Sequence, residues 1–119
     1  MEWSLAWPAT LGQMHLVYDH RGGVLAYATW AYLTETVGRS LWANPDRPIH
    51  PAEWNEGDQV WVMDFVAPLG RRRLLAKAIK DLFADRPVLF GLRRKDGRRR
   101  PVRLSNRRFS ADLRALSAS

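Results

Sequence analysis

Trp61-Val-Met-Asp-Phe-Val-Ala-Pro-Leu-Gly70, followed at once by Arg71-Arg-Arg73, decides the reading of the chain. Its apolar run predicts a buried strand over residues 59–67 that carries one carboxylate, Asp64. Pro68 and Gly70 then stop the strand and deliver three guanidinium groups to the start of a helix. An acid on a buried strand is costly unless it is paired or used. An Arg-rich turn at a helix N-terminus suits an anionic ligand. Gly70, Arg71, Arg72 and Arg73 are therefore candidates for binding an anionic donor, with Asp64 the candidate catalytic group beside them.

Outward from this stretch the order is α/β. Residues 15–18 and 24–30 are β-type runs joined by Asp19-His-Arg-Gly-Gly23, which is hairpin chemistry. Residues 31–41 are expected to form a short helix, and 42–58, with Pro45, Pro48, Pro51 and Gly57, irregular structure. Apolar side chains at Leu74, Leu75, Ala78, Ile79, Leu82 and Phe83 make one helical stripe, and Pro87 ends that helix. Residues 88–92 and 101–104 read as a second hairpin around Lys95-Asp-Gly97. A terminal helix is expected at 110–116, with Ser110 as its N-cap.

At 119 residues the chain has room for one core, to which six Trp contribute a large aromatic share. No window is long and apolar enough to span a bilayer, and the first residues lack the pattern of a signal peptide. The absence of Cys excludes disulfides and thiolate metal sites and favours the cytoplasm. No metal is expected.

The net charge of +7 is unevenly placed. Positive residues gather at 71–73, 93–95, 98–100, 103, 107 and 108, whereas residues 1–69 are acidic, with three Arg against eight Asp and Glu. The second half should attract an anionic partner (nucleic acid, an acidic protein or a membrane surface) unless it is only a solvated basic face. Nucleic acid is one class of such partner. It is disfavoured because the cluster interleaves only Phe109 as an aromatic and matches no helix-turn-helix, RNA-recognition or zinc-finger pattern.

Four segments taken in order carry a resemblance. They are Pro8-Ala9, Leu25-Ala-Tyr-Ala-Thr-Trp-Ala31, Glu53-Trp-Asn-Glu-Gly-Asp58 and the opening stretch itself. The compound pattern Ala-Tyr-x-x-Trp-Ala, Trp-x-x-Gly-Asp and Trp-x-x-Asp-x-x-Ala-Pro-x-Gly resembles the RTX toxin-activating lysine acyltransferases, a bacterial family typified by the haemolysin-activating protein. The resemblance implies a single acetyltransferase-like (GNAT-like) domain over residues 1–119, with a mixed, mostly antiparallel sheet and flanking helices. It implies transfer of a fatty acyl chain from the phosphopantetheine thioester of acyl carrier protein to lysine side chains of a protoxin. No bound cofactor is expected, and a homodimer is compatible with the family.

The resemblance also implies a catalytic His and Asp. The Asp maps onto Asp64. The family's His lies upstream of the Pro-Ala pair, and Met1-Glu-Trp-Ser-Leu-Ala-Trp7 has none, so the chain is expected to lack the family's N-terminal segment. Of the histidines present, His15 is kept as a candidate, although a structural role suits it better; His20 falls in the hairpin turn and His50 in the irregular segment. Trp30, Val62 and Phe65, with Val60, are candidates to line an acyl channel, or else plain core. A binding protein without catalytic activity is the alternative reading.

Overall fold

The computed structural model describes residues 12–68 and 70–105. In chain order they form β1 (Met14–Tyr18), β2 (Val24–Leu33), α1 (Glu35–Ala43), a 3-10 turn (Pro51–Glu53), β3 (Gln59–Val66), α2 (Arg72–Leu82), β4 (Val88–Lys95) and β5 (Arg98–Ser105). The five strands make one sheet in the order β1-β2-β3-β4-β5. All neighbours are antiparallel except β3 and β4, which run parallel because α2 carries the chain back between them. The fold is thus a mixed α/β arrangement with a mostly antiparallel sheet and two helices. Among the described residues, no helix is long and apolar enough to cross a membrane.

Both hairpins follow from local chemistry. Asp19 closes the first, its Oδ1 accepting from the N–H groups of Arg21 and Gly23 at 2.8 and 2.9 Å. Asp96 and Gly97, at φ 53° and 74°, make the two-residue turn of the second, a conformation that matches the right-handed twist of its strands.

The strands separate two cores. Strand alternation turns Ala26, Ala28, Trp30, Val60, Val62 and Leu89 toward α2, where Leu75, Ile79 and Phe83 pack on them. The opposite face holds Ala31, Leu33 and Trp61 against Val37 and Leu41 of α1. Trp61 is fully buried and lies stacked on Phe90, ring centroids 5.1 Å apart.

The helix expected at 31–41 begins later. Tyr32 and Leu33 continue β2, paired to Val60 and Gln59, because aromatic and aliphatic side chains alternate cleanly between the two cores. Thr34 then caps α1, its Oγ1 accepting from the N–H of Val37 at 3.2 Å. The stripe on α2 is also rotated from expectation. Leu75, Ala76, Ile79 and Phe83 are buried, whereas Leu74 and Leu82 are 52% and 51% exposed. With apolar residues on both flanks, the small Ala76 sets which side approaches the sheet. The helix expected at 110–116 lies outside the described residues.

The segment before β3 is ordered by polar contacts. His50 caps the 3-10 turn, its Nδ1 accepting from the N–H of Ala52, while Glu53 accepts from the N–H of His50. Arg47 donates to Glu53 at 2.9 Å, and this bond first, then that from the His50 amide, holds the Glu53 carboxyl below its ordinary value. A depressed carboxylate stabilises the fold above its unfolded value, and that contribution is lost as pH falls through the folded one. Glu53→Gln should therefore lower stability by about 1 kcal/mol at neutral pH and flatten the acid limb of the urea-unfolding curve below pH 4.5, the ordinary value for this group.

Candidate active site

Asp64 owes its position to an irregularity in β3. Thr29 pairs with Asp64, but the next residue, Trp30, pairs with Val62, so Met63 is an extra residue on β3. Plain alternation from Val60 and Val62 would turn Asp64 into the α2 core. The bulge instead places it on the other face, beside Thr29, and returns Phe65 to the α2 side, where it packs. The fully buried Thr29 donates its Oγ1 proton to Asp64 Oδ2 at 2.7 Å. Asp64 itself is half-buried. A carboxylate held by a charge-assisted bond on a half-buried strand is fixed in direction while remaining within reach of a cation.

The strand edge next to Asp64 is where the parallel pair ends. Trp61 pairs with Phe90 and Val62 with Gly91, and the register goes no further. The last residues of β3 and β4 are thus unpaired to each other at the end of the sheet where β3 hands over to α2. Ligands of α/β sheets characteristically bind outside such carboxyl ends.

The basic turn opens at this same end. Gly70 adopts φ 91°, and Arg71 occupies the N-cap position of α2 without a side-chain capping bond. Arg72 begins the stripe that continues through Leu75 and Ile79, so it faces the sheet, while Arg71 and Arg73 are exposed. On β4, Arg93 follows Leu89 and Gly91 on the α2 side. The Nε atoms of Arg72 and Arg93 are buried with no hydrogen-bond partner among the described residues. The half-buried Arg72 at the uncapped helix start and Arg93 on the same side of the sheet favour an anion on that face, the one opposite to Asp64.

His15 is not brought to Asp64. The row across β1, β2 and β3 runs Met14, Thr29, Asp64, and His15 is paired with Ala28, one step along. Its side chain therefore turns to the α2 face, opposite to that of Asp64. His50 is engaged as a cap, and His20 is exposed in the first hairpin turn. Trp30, Val62 and Phe65 do share a face, and there they pack with Val60 against α2, with Trp30 edge-on to Phe83 at 5.3 Å. Sequence reasoning missed Thr29, and it singled out Arg93 only as part of the general basic cluster. Thr29 stood within Ala-Tyr-Ala-Thr-Trp-Ala, but its bond to Asp64 depends on the bulge, which has no local signature.

The chain's similarity to known proteins bears on this geometry. A model of the RTX toxin acyltransferase family matches residues 1–106. The RTX-II toxin-activating lysine-acyltransferase ApxIIC of Actinobacillus pleuropneumoniae is 32% identical over 76 residues, 64% of this chain and 47% of that protein. The protein-lysine myristoyltransferase RtxC of Kingella kingae is 33% identical over 79 residues, 66% of this chain and 46% of that protein. The lysine-acyltransferase RtxC of Vibrio cholerae is 30% identical over 63 residues, 53% and 40% of the two chains. The chain spans about half the length of the curated relatives it matches. With the family match extending through the five strands and two helices of the described residues, the chain belongs to the RTX toxin acyltransferase family.

Proposed function

We propose that this protein transfers a fatty acyl chain from acyl carrier protein to lysine side chains of a protein acceptor of the protoxin kind, on an acetyltransferase-like domain. The observation that carries the reading is Asp64, held by Thr29 where pairing between the parallel strands stops, in a chain of this family. The names of the relatives support lysine as acceptor and, for one of them, a myristoyl group.

The chemistry needs a carboxylate at this point. A lysine amine, with an ordinary pKa of about 10.4, is almost wholly protonated near neutrality and cannot attack in that form. Asp64 binds the incoming ammonium and relays its proton. The freed amine adds to the thioester carbonyl, the carbon–sulfur bond breaks, and the arm's sulfur leaves as a thiolate that takes up a proton. The products are an amide on lysine and the free thiol of the arm. Gly70, Arg71, Arg72 and Arg73, joined by Arg93, take the phosphate of the phosphopantetheine arm. Trp30, Val62 and Phe65 supply apolar surface on the α2 face of β2 and β3, across the sheet from Asp64.

Thr29 is a positioning residue in this scheme. Thr29→Val should lower kcat roughly tenfold, the worth of a hydrogen bond to a charged group, and leave KM for the acyl carrier unchanged. Thr29→Ser should restore the rate. A purely structural role for Thr29 would instead lower the thermal midpoint, with no rescue of kcat by Ser.

The test of the reading is incubation of the protein with myristoyl-loaded acyl carrier protein and a lysine-bearing acceptor, followed by intact mass of the carrier. Loss of the acyl group from the carrier only when protein and acceptor are both present supports transfer. A fully loaded carrier after prolonged incubation refutes it.

A further inference from the structure

The register of the β4–β5 hairpin puts basic residues opposite basic residues. It pairs Arg93 with Arg100, Arg94 with Arg99 and Lys95 with Arg98, three successive rungs ending at the Asp96-Gly97 turn. Like charges opposite each other in an antiparallel pair destabilise it by a few tenths of a kcal/mol to about 1 kcal/mol each. No acidic residue stands on these rungs to offset the repulsion; Asp96 lies in the turn beyond them.

Edge protection explains only part of this. β5 is an edge strand, and Pro101, Arg99 and Arg103 on it discourage pairing with other chains. Blunting an edge takes only a charge or two on one strand, whereas here both strands supply a basic residue to every rung.

The cations are also sorted by face. Leu89 and Leu104 pair on the α2 side of the sheet, so alternation puts Arg93, Arg98 and Arg100 on that side as well. Because β4 runs parallel to β3, the hairpin tip lies at the end of the sheet where α2 begins. Arg71, Arg72 and Arg73 are therefore at the same end and on the same side. Six arginines on three elements thus share the end and the side of the sheet where β3 and β4 stop pairing.

We propose that this basic end of the sheet, hairpin rungs and first turn of α2 together, is the docking site for the acidic face of the carrier protein that presents the acyl chain. The inference rests on the donor being a carrier protein, as proposed above. Charge complementarity and the choice of Arg, whose planar fork takes carboxylates in pairs, fit an acidic helix laid across the rungs. A single-stranded nucleic acid would also meet the charge, but it needs aromatic faces for its bases. The hairpin's aromatic, Phe90, is stacked inside the α1 core on Trp61.

Two double variants with equal change in net charge test the proposal by calorimetric titration with holo acyl carrier protein. Arg98→Glu/Arg100→Glu alters the proposed surface. Arg39→Glu/Arg103→Glu alters α1 and the opposite face of β5, and thermal unfolding checks that both fold. The first should weaken carrier binding about tenfold or more and reduce its salt dependence, and the second less than threefold. That pattern without any acyl transfer would uphold docking while refuting the transferase reading. Equal weakening by both variants, or no carrier binding by the unaltered protein, would overturn the proposal. So would tighter binding of a single-stranded oligonucleotide than of the carrier, lost in Arg98→Glu/Arg100→Glu.

Discussion

Asp64→Asn is expected to reduce acyl transfer by about 100-fold or more while leaving the thermal midpoint within a few degrees of the unaltered protein. Asparagine matches aspartate in shape and can still accept the Thr29 Oγ1 proton, so the cross-strand contact survives. What disappears is the negative charge that, on the proposed reading, holds the incoming ammonium and the basic oxygen that takes its proton. Because the change removes chemistry rather than packing, rate and stability should separate. A variant with full activity would remove Asp64 from the mechanism. A variant that is inactive because it is unfolded would assign Asp64 to the fold instead.

Gly57→Ala should have the opposite profile, a large loss of stability. A Cβ at Gly57 would collide with the backbone of Leu33 and Thr34, at the junction where β2 passes into α1. The amides of Glu56 and Gly57 both donate to the carbonyl of Tyr32, at 3.0 and 2.9 Å, and fix this close approach. Backbone cannot give way as the far end of a flexible side chain can, so the loss should be about 3 kcal/mol or more. That is roughly 10 °C in thermal midpoint for a chain of this size. Gly22→Ala supplies the comparison: its φ of 84° is unfavourable for alanine, but the added methyl meets nothing within 4 Å. The cost there should be nearer 1 kcal/mol. Equal losses at the two positions would mean that the contact with Leu33 and Thr34 is not what constrains Gly57.

Much of this architecture is visible in the residues themselves. The hairpin turns declare themselves through Asp19 with Gly22 and Asp96 with Gly97, because those residue types are tied to particular backbone angles. β3 and α2 are equally plain, since a proline and a glycine separate an apolar run from a helical stripe. The start of α1 is harder to see, because Trp30-Ala-Tyr-Leu33 satisfies strand and helix patterns alike and only pairing with β3 decides.

The site is less legible than the fold. Asp64 is conspicuous as a carboxylate in an apolar run, but its direction is not. Counting by twos from Val60 sends it into the helix-covered core, and only the extra residue at Met63 reverses it. Thr29 becomes visible as a partner once that slip in register is known. The same period-two argument places Arg93 on the α2 side of the sheet, but only after β4 is known to run parallel to β3. In each case the missing information is the alignment of one strand with another, which depends on the whole sheet.

The central claim, that an acyl chain moves onto lysine nitrogen, is tested most directly on the acceptor. Its intact mass would be measured after incubation with the protein and myristoyl-loaded carrier, before and after treatment with hydroxylamine, which cleaves thioesters and oxygen esters but spares amides. The account predicts a gain of one acyl mass that survives hydroxylamine and is missing when Asp64→Asn replaces the unaltered protein. No gain, or a gain that hydroxylamine removes, would contradict it.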